Sequence, residues 1–416
     1  MRRSCVAAAG YGVLLSLALS STVFALEDAP ARIQAGPVEI RPAASLAAVY
    51  DDNVFKVSRE GAFDLEPVGD IYFTLNPRVT ARFPFGTRSH LAAGYGWQAV
   101  KYTGGFGGDL DTTLWDTFDT HEVFAEADIR TNTGFSFGVR NDFQRKNLFI
   151  TATELVFEEG DDLAPIGLFH NEFKPTLSYN LEDSNLQFDA GYNLSTDRFA
   201  QANYGYLDKD IHAPRGRVSY RFLPKTAGFV EGEGYLVRYH QNDSNPFIEK
   251  SDADGWKAWL GGQGAVTARM GAVLALGWGQ LDYADNAIRA STWLARFEVD
   301  EKFSERTRFN IGASRNIYDS YSSNYYVSNR LYGELWHAFT PMVAGSMGGN
   351  LFRNEYSEPN ERRDTGFLVS VKGQVRPLVE DWLRFNIGYN REQRRSEFDW
   401  FSYNTNQIFF ELEAVL

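Results

Sequence analysis

The stretch Ile71-Tyr72-Phe73-Thr74-Leu75-Asn76-Pro77-Arg78-Val79-Thr80-Ala81-Arg82-Phe83 decides the fold class. Ile71, Phe73, Leu75, Val79, Ala81 and Phe83 fall on one side of an extended chain, and Tyr72, Thr74, Asn76, Arg78, Thr80 and Arg82 on the other. Successive side chains of a strand point to opposite faces, so this is a strand with one apolar and one polar face. Its length narrows the setting. Soluble strands run about 5–6 residues, whereas a tilted strand that crosses a bilayer needs about 9–11.

The same alternation recurs along the chain. Leu91, Ala93, Tyr95, Trp97 and Ala99 stripe the next segment; Leu186 to Leu194 and Leu383 to Tyr389 repeat it later. Eight turn signals fall near Gly86-Thr87, Thr131-Asn132, Glu182-Asp183, Pro224-Lys225, Ala268-Arg269, Ser304-Glu305, Thr340-Pro341 and Val379-Glu380. Between them lie nine longer polar stretches, at 51–69, 104–118, 146–165, 197–210, 240–254, 283–290, 318–325, 353–364 and 391–401. Short turns alternating with long loops are the habit of bacterial outer-membrane barrels, short ones periplasmic and long ones outside. The count predicts an all-β, antiparallel up-and-down transmembrane barrel of about 18 strands (16–18), with both ends in the periplasm. Pro77 and Pro175 sit inside predicted strands, where a missing N–H predicts bulges.

The ends agree with this reading. Ile408, Phe410, Leu412, Ala414 and Leu416 alternate to the last residue, a pattern expected to serve as the signal for the barrel-insertion machinery (408–416). At the start, Arg2 and Arg3, an apolar run from Val6 to Leu19 and Val23-Phe24-Ala25 have the parts of a cleaved signal peptide. The predicted division is 1–25 signal peptide, 26–43 periplasmic tail and 44–416 barrel. Cys5 is the sole cysteine, so the exported part uses no disulfides. No stretch of about 18 apolar residues follows residue 25, which excludes a spanning helix there. The formal charge of −13 argues against nucleic acid as a partner. Expected partners are outer-membrane lipid and lipopolysaccharide.

At Leu46-Ala47-Ala48-Val49-Tyr50-Asp51-Asp52-Asn53-Val54-Phe55, and again from Arg395-Ser396 through Tyr403-Asn404 into the final strand, the chain resembles the putative β-barrel porin family of the second type. The resemblance extends over nearly the whole exported chain. It implies a large barrel with no enzymatic residues, an association with exopolysaccharide production, and polysaccharide and periplasmic export proteins as partners.

The polar faces nominate pore-lining residues: Arg78, Arg82, Arg215, Arg217, Arg221, Arg296, Glu298, Arg384, Glu411 and Glu413. Rings of charge in a pore select ions or guide a charged polymer. The plainer alternative is that opposite charges on neighbouring strands pair and hold the barrel's shape. Arg215, Arg217 and Arg221 form the best basic ladder, because one neighbour cannot pair all three. Tyr50, Trp97, Tyr179, Tyr239, Trp256, Trp278, Trp293, Trp336 and Trp382 read as interfacial girdles, with sugar stacking as their rival role. Acidic runs at Glu158 to Asp162 and Asp109 to Asp119 match no defined calcium loop and read as solvated loops. His121 beside Asp119 is the sole hint of a hydrolase; no metal spacing, phosphate loop or nucleophile elbow occurs, and no cofactor is expected. The sequence therefore points to a porin-like channel in the outer membrane of a Gram-negative cell, with a plugged, surface-binding barrel as the alternative. A soluble periplasmic β-protein would use shorter strands and equal turns.

Overall fold

The computed structural model describes residues 33–58, 67–86, 88–103, 119–148, 166–181, 184–240, 250–284, 288–377 and 382–415. The signal peptide, residues 26–32 of the tail, the run Glu158 to Asp162 and all of Asp109 to Asp119 except Asp119 lie outside them, as do the turn signals at 182–183 and 379–380.

The strands are β1 (Ile33–Ala35), β2 (Val38–Asp51), β3 (Asp70–Phe85), β4 (Ser89–Tyr102), β5 (Thr120–Arg130), β6 (Phe135–Leu148), β7 (Ile166–Asn180), β8 (Leu186–Phe199), β9 (Lys209–Leu223), β10 (Thr226–Tyr239), β11 (Ala253–Ala265), β12 (Met270–Tyr283), β13 (Arg289–Ser304), β14 (Thr307–Asp319), β15 (Tyr325–Ala338), β16 (Val343–Tyr356), β17 (Arg362–Val375), β18 (Leu383–Ser396) and β19 (Tyr403–Val415). From β2 onward each pairs antiparallel with the next. The ring closes where β19 pairs with β2, from Gln407↔Asp51 to Val415↔Ala43. The result is a closed barrel of 18 strands, with β1 a short hairpin on β2. Short and long intervals alternate between the strands, as expected, and the ring closes without an end strand.

Two faces follow from the period of two. Leu274 and Leu276 on β12 are 58% and 60% exposed, and Met347, Leu351, Phe385 and Phe410 repeat this around the wall. An apolar band of this extent would be unfavourable in water by roughly 25 cal/mol per Å², and a patch beyond a few hundred Å² marks contact with a membrane or partner. The opposite face carries Asp51, Thr74, Glu231, Lys257, Arg384 and Glu411, all buried. No helix among the described residues is long and apolar enough to cross a membrane; the strands do the crossing.

Two expectations need correction. Pro77 and Pro175 make no bulge: the β3–β4 register reads Leu75↔Ala99 and then Arg78↔Gly96, and β7–β8 reads Phe173↔Leu194 and then Thr176↔Gly191. Two residues are skipped on each strand and the count is kept. The proline is absorbed as a local gap in one ladder while its other neighbour stays paired, as Ala44↔Pro77 and Val139↔Pro175 show. The shifts in register lie elsewhere, between Thr226 and Ala227 and between Lys302 and Ser304, at turn ends. The girdle also loses members. Tyr239 is buried with the inward cluster of Tyr235, Val237 and Leu281, and Trp336 is opposite Arg308 on the inward parity of β15. Tyr50, Trp256, Trp278 and Trp293 point outward, and Tyr179 stacks on outward Phe135 with centroids 4.2 Å apart.

Candidate functional site

The closure of the ring is held by a clasp built from Asp51-Asp52-Asn53. Asp51 Oδ1 accepts from Thr405 Oγ1 (2.5 Å) and from the Asn53 amide (2.8 Å), and its Oδ2 accepts from Gln407 Nε2 (2.8 Å). Asp52 accepts from the Asn406 amide (2.6 Å) and from Asn406 Nδ2 (2.7 Å). Asn53 Nδ2 donates to the carbonyls of Val57 and Asn404 (2.8 and 3.1 Å), which turns the chain inward after β2. Thus the motif beside the first strand joins it to the last.

Beneath this rim the ten nominated residues all fall on the inward parity of their strands, on the side of the buried polar residues and opposite the exposed apolar ones. They divide into two groups. Arg384 and Glu413 pair at 3.5 Å; Glu411 accepts from Asn386 Nδ2 (2.9 Å) and lies 3.8 Å from Lys372 Nζ. Arg217 lies 3.6 Å from Glu231, donates to Gln263 Oε1 (2.8 Å) and rests on Phe229, 3.6 Å from the ring centroid. These charges brace the wall. By contrast, Arg78, Arg82, Arg215, Arg221, Arg296 and Glu298 make no ion pair among the described residues. Arg296 approaches the same Phe229 ring (6.0 Å) and Trp259 (5.7 Å), so guanidinium groups and aromatic faces share one side of the lumen.

Four connections fold into the mouth above these charges: 52–58, 200–208, 320–324 and 397–402. The tip between β14 and β15 contacts both walls. Ser320, Ser322, Ser323 and Asn324 are buried. Asp319 accepts from Lys209 Nζ and Tyr239 Oη, both 2.7 Å, and Tyr321 Oη donates to Asp197 (2.8 Å). Lys250 donates to the carbonyls of Ser320 and Ser323, and Tyr283 Oη to that of Asn324 (2.6 Å). From the other wall, Arg362 donates to Ser322 Oγ (3.0 Å) while pairing with Asp364 (3.2 Å), which also holds Arg394. Arg362 is sandwiched between Tyr356 and Phe401, at 3.7 and 4.0 Å from their centroids. Charges buried this deeply persist because each is paired and hydrogen-bonded. In the connection at 200–208, burial raises the Asp208 carboxyl above its ordinary range, against the opposing hydrogen bond from the Phe199 amide (2.7 Å).

Sequence reasoning placed Ser320 to Asn324 only within a polar loop (318–325) and did not single them out. Ser320 to Asn324 have no periodicity, and their partners are distant in the chain. His121, the hint of a hydrolase, turns outward and shares a hydrogen bond of 2.9 Å with Tyr95 Oη rather than meeting Asp119. Among the described residues no cluster of His, Cys, Asp and Glu could hold a metal.

A closed antiparallel barrel with an apolar belt, a charged lumen and inward-folded loops defines the class: an integral outer-membrane β-barrel. The sequence profile described as Putative beta-barrel porin 2 matches residues 179–415, more than half of the chain, and the chain belongs to that family of porins. The Leu46–Phe55 motif lies ahead of the matched span, and the Arg395–Asn404 stretch lies within it. No curated protein matches the chain. Similar solved structures include the outer membrane protein OpdK of Pseudomonas aeruginosa (12% identity, TM-score 0.48, covering 91% of this chain and 98% of that one). OccAB4 of Acinetobacter baumannii gives 10%, 0.48, 91% and 98%. A BenF-like porin of Pseudomonas fluorescens Pf-5 gives 10%, 0.49, 91% and 99%.

Proposed function

We propose that the barrel is a channel for anionic solutes, lined by Arg78, Arg82, Arg215, Arg221 and Arg296, and closed at its outer mouth in the conformation described. The observation that carries this reading is the set of inward cations that make no ion pair among the described residues. A wall built only for shape would pair them, as it pairs Arg384 with Glu413. Unpaired guanidinium groups in a confined lumen raise the local concentration of anions and bind carboxylates and phosphates in bidentate fashion. The physiological cargo in this reading is a polysaccharide, as the family resemblance implies, of the acidic kind that the cationic lining would favour, handed over by periplasmic export proteins. The final strand, up to residue 416, acts as the insertion signal.

A second reading, a non-conducting barrel that binds a surface polymer, draws support from the burial of Ser320 to Asn324. Planar bilayers separate the two. A channel gives unitary conductance with an anion-biased reversal potential, whereas a plugged barrel gives none under any holding potential. Loss of surface polysaccharide on deleting the gene tests the cargo; unchanged polymer would remove it from the proposal.

A further inference from the structure

Between β13 and β14 the ladder of the wall stops short of the upper ends of both strands. Their pairing stops at Ala295↔Arg315, although β13 runs on to Arg289 and β14 to Asp319. Over the same height β12–β13 pairing continues to Asp282↔Arg289, and β14–β15 pairing to Asp319↔Tyr325. The upper part of β14 has therefore left β13, while β15 keeps its pairing with β14 and, up to Tyr326↔Tyr356, with β16.

Ile317 shows where it went. Phe309, Ile311, Ala313, Arg315 and Ile317 form the outward stripe of β14, so in an unbroken wall Ile317 would meet lipid. Instead it is fully buried against Leu281 and Leu294, on the inner face of the wall. Gly279 makes room: a Cβ there would lie 3.2 Å from Leu294 Cδ1 and 3.4 Å from Ile317 Cγ2. The apolar stripe of β14, interrupted at Arg315, runs up to Ile317, yet the upper part of the strand sits inside.

The parted edges are provided for locally. Continuing the register would set Leu294 opposite Asn316, Trp293 opposite Ile317, and Thr292 opposite Tyr318. The Ile317 amide donates instead to Asn316 Oδ1 (2.9 Å), and Thr292 Oγ1 donates to the Trp293 carbonyl (3.3 Å). Arg315 spans the gap, donating to Thr292 Oγ1 (3.1 Å) and lying over Trp293, 4.8 Å from the ring centroid. Side chains thus stand in for one missing ladder bond on each strand, satisfying the Ile317 amide and the Trp293 carbonyl.

We propose that the β14–β15 hairpin is a gate hinged at Ala295 and Arg315. Folded inward it closes the mouth; zipped in register onto the free edge of β13 it completes the wall and clears the lumen. The swing exchanges the contacts of Asp319 with Lys209 and Tyr239 for ladder bonds, and the inner pocket of Ile317 for lipid beside Trp293. It rests on the channel reading above for its consequence, but the movement can be observed without conduction.

Two pairs of cysteines, each in a Cys5→Ser background, test it. Thr292→Cys with Tyr318→Cys joins residues that become directly opposite only in the zipped state, within the Cα separation a disulfide requires. Gly279→Cys with Ile317→Cys joins the inward state. Folding of each variant is checked by the gel shift on boiling. We expect both disulfides to form on oxidation in membranes. The first should raise conductance several-fold over its reduced form, and the second should abolish it. If the Thr292–Tyr318 disulfide fails to form while the Gly279–Ile317 one forms fully, the hairpin is fixed and the gate is overturned. Conduction through the oxidised Gly279–Ile317 variant at the wild-type level overturns it as well. If both disulfides form and no state conducts, the hinge stands and the channel reading falls.

Discussion

Replacing Asp51 by Ala should loosen the ring at its closure. The side chain is buried and accepts from Thr405, Gln407 and the amide of Asn53. Thr405 and Asn53 are themselves buried, so their donors lose their partner with no water to replace it, at about 1–3 kcal/mol each. Gln407 is half-buried and can turn to solvent, and removing a buried carboxylate returns part of its desolvation cost. The balance is a loss of about 3 kcal/mol. Asp51→Asn keeps one acceptor oxygen, so it should lose about 1 kcal/mol. Urea titration of the barrel in lipid vesicles, read by the fraction of heat-modifiable band, measures both. If Asp51→Ala falls within about 0.5 kcal/mol of the wild type, the range of ordinary surface changes, the clasp does not hold the ring.

Other outcomes follow from the same geometry. Asp364→Ala leaves Arg362 and Arg394 buried without their shared carboxylate, so it should lower stability by about 3–5 kcal/mol and open the plug to protease, measured by urea titration and limited digestion. Leu276→Arg sets a charge on the lipid face and should cost about 2–4 kcal/mol, whereas Ser370→Arg, on the inward parity of β17, should be tolerated in the same titration. Because the Asp208 carboxyl is raised in the folded protein, its neutral form is the favoured one: its own contribution to stability should be present in full below the ordinary carboxylate range and be lost as pH rises through the raised value. Asp208→Asn should flatten that decline in unfolding measured across acid pH.

How far the sequence could be read depended on the range of the interactions involved. Alternation is local, so β3, β8, β18 and β19, the turns between strands and the inward parity of Arg215, Arg217 and Arg221 were all legible. Proline chemistry is also local, but the outcome at Pro77 and Pro175 was not, because a ladder can skip two residues on both strands and keep its register. Tyr239 was assigned to the girdle from its place at a strand end. Whether such an end meets headgroups or a plug depends on what folds over it, here Asp319, 80 residues away in sequence. The same holds for Lys209 and Asp319, separated by 110 residues, and for Arg362 and Ser322 across the mouth. Asp51-Asp52-Asn53 stood out as a motif, but its work is to join the first strand to the last, and that contact exists only once the ring is closed. Ile317 is the sharpest case, since its alternation describes the wall and its burial describes the plug.

The most direct test of the central claim is the reversal potential of single channels in planar bilayers under a salt gradient, for the wild type and for Arg215→Gln with Arg221→Gln and Arg296→Gln. The account predicts unitary openings with an anion-biased reversal potential in the wild type, and a shift toward cation preference with little loss of stability in the triple variant. Openings whose selectivity is unchanged by the three substitutions, or no openings even after the hairpin is locked against β13, would contradict it.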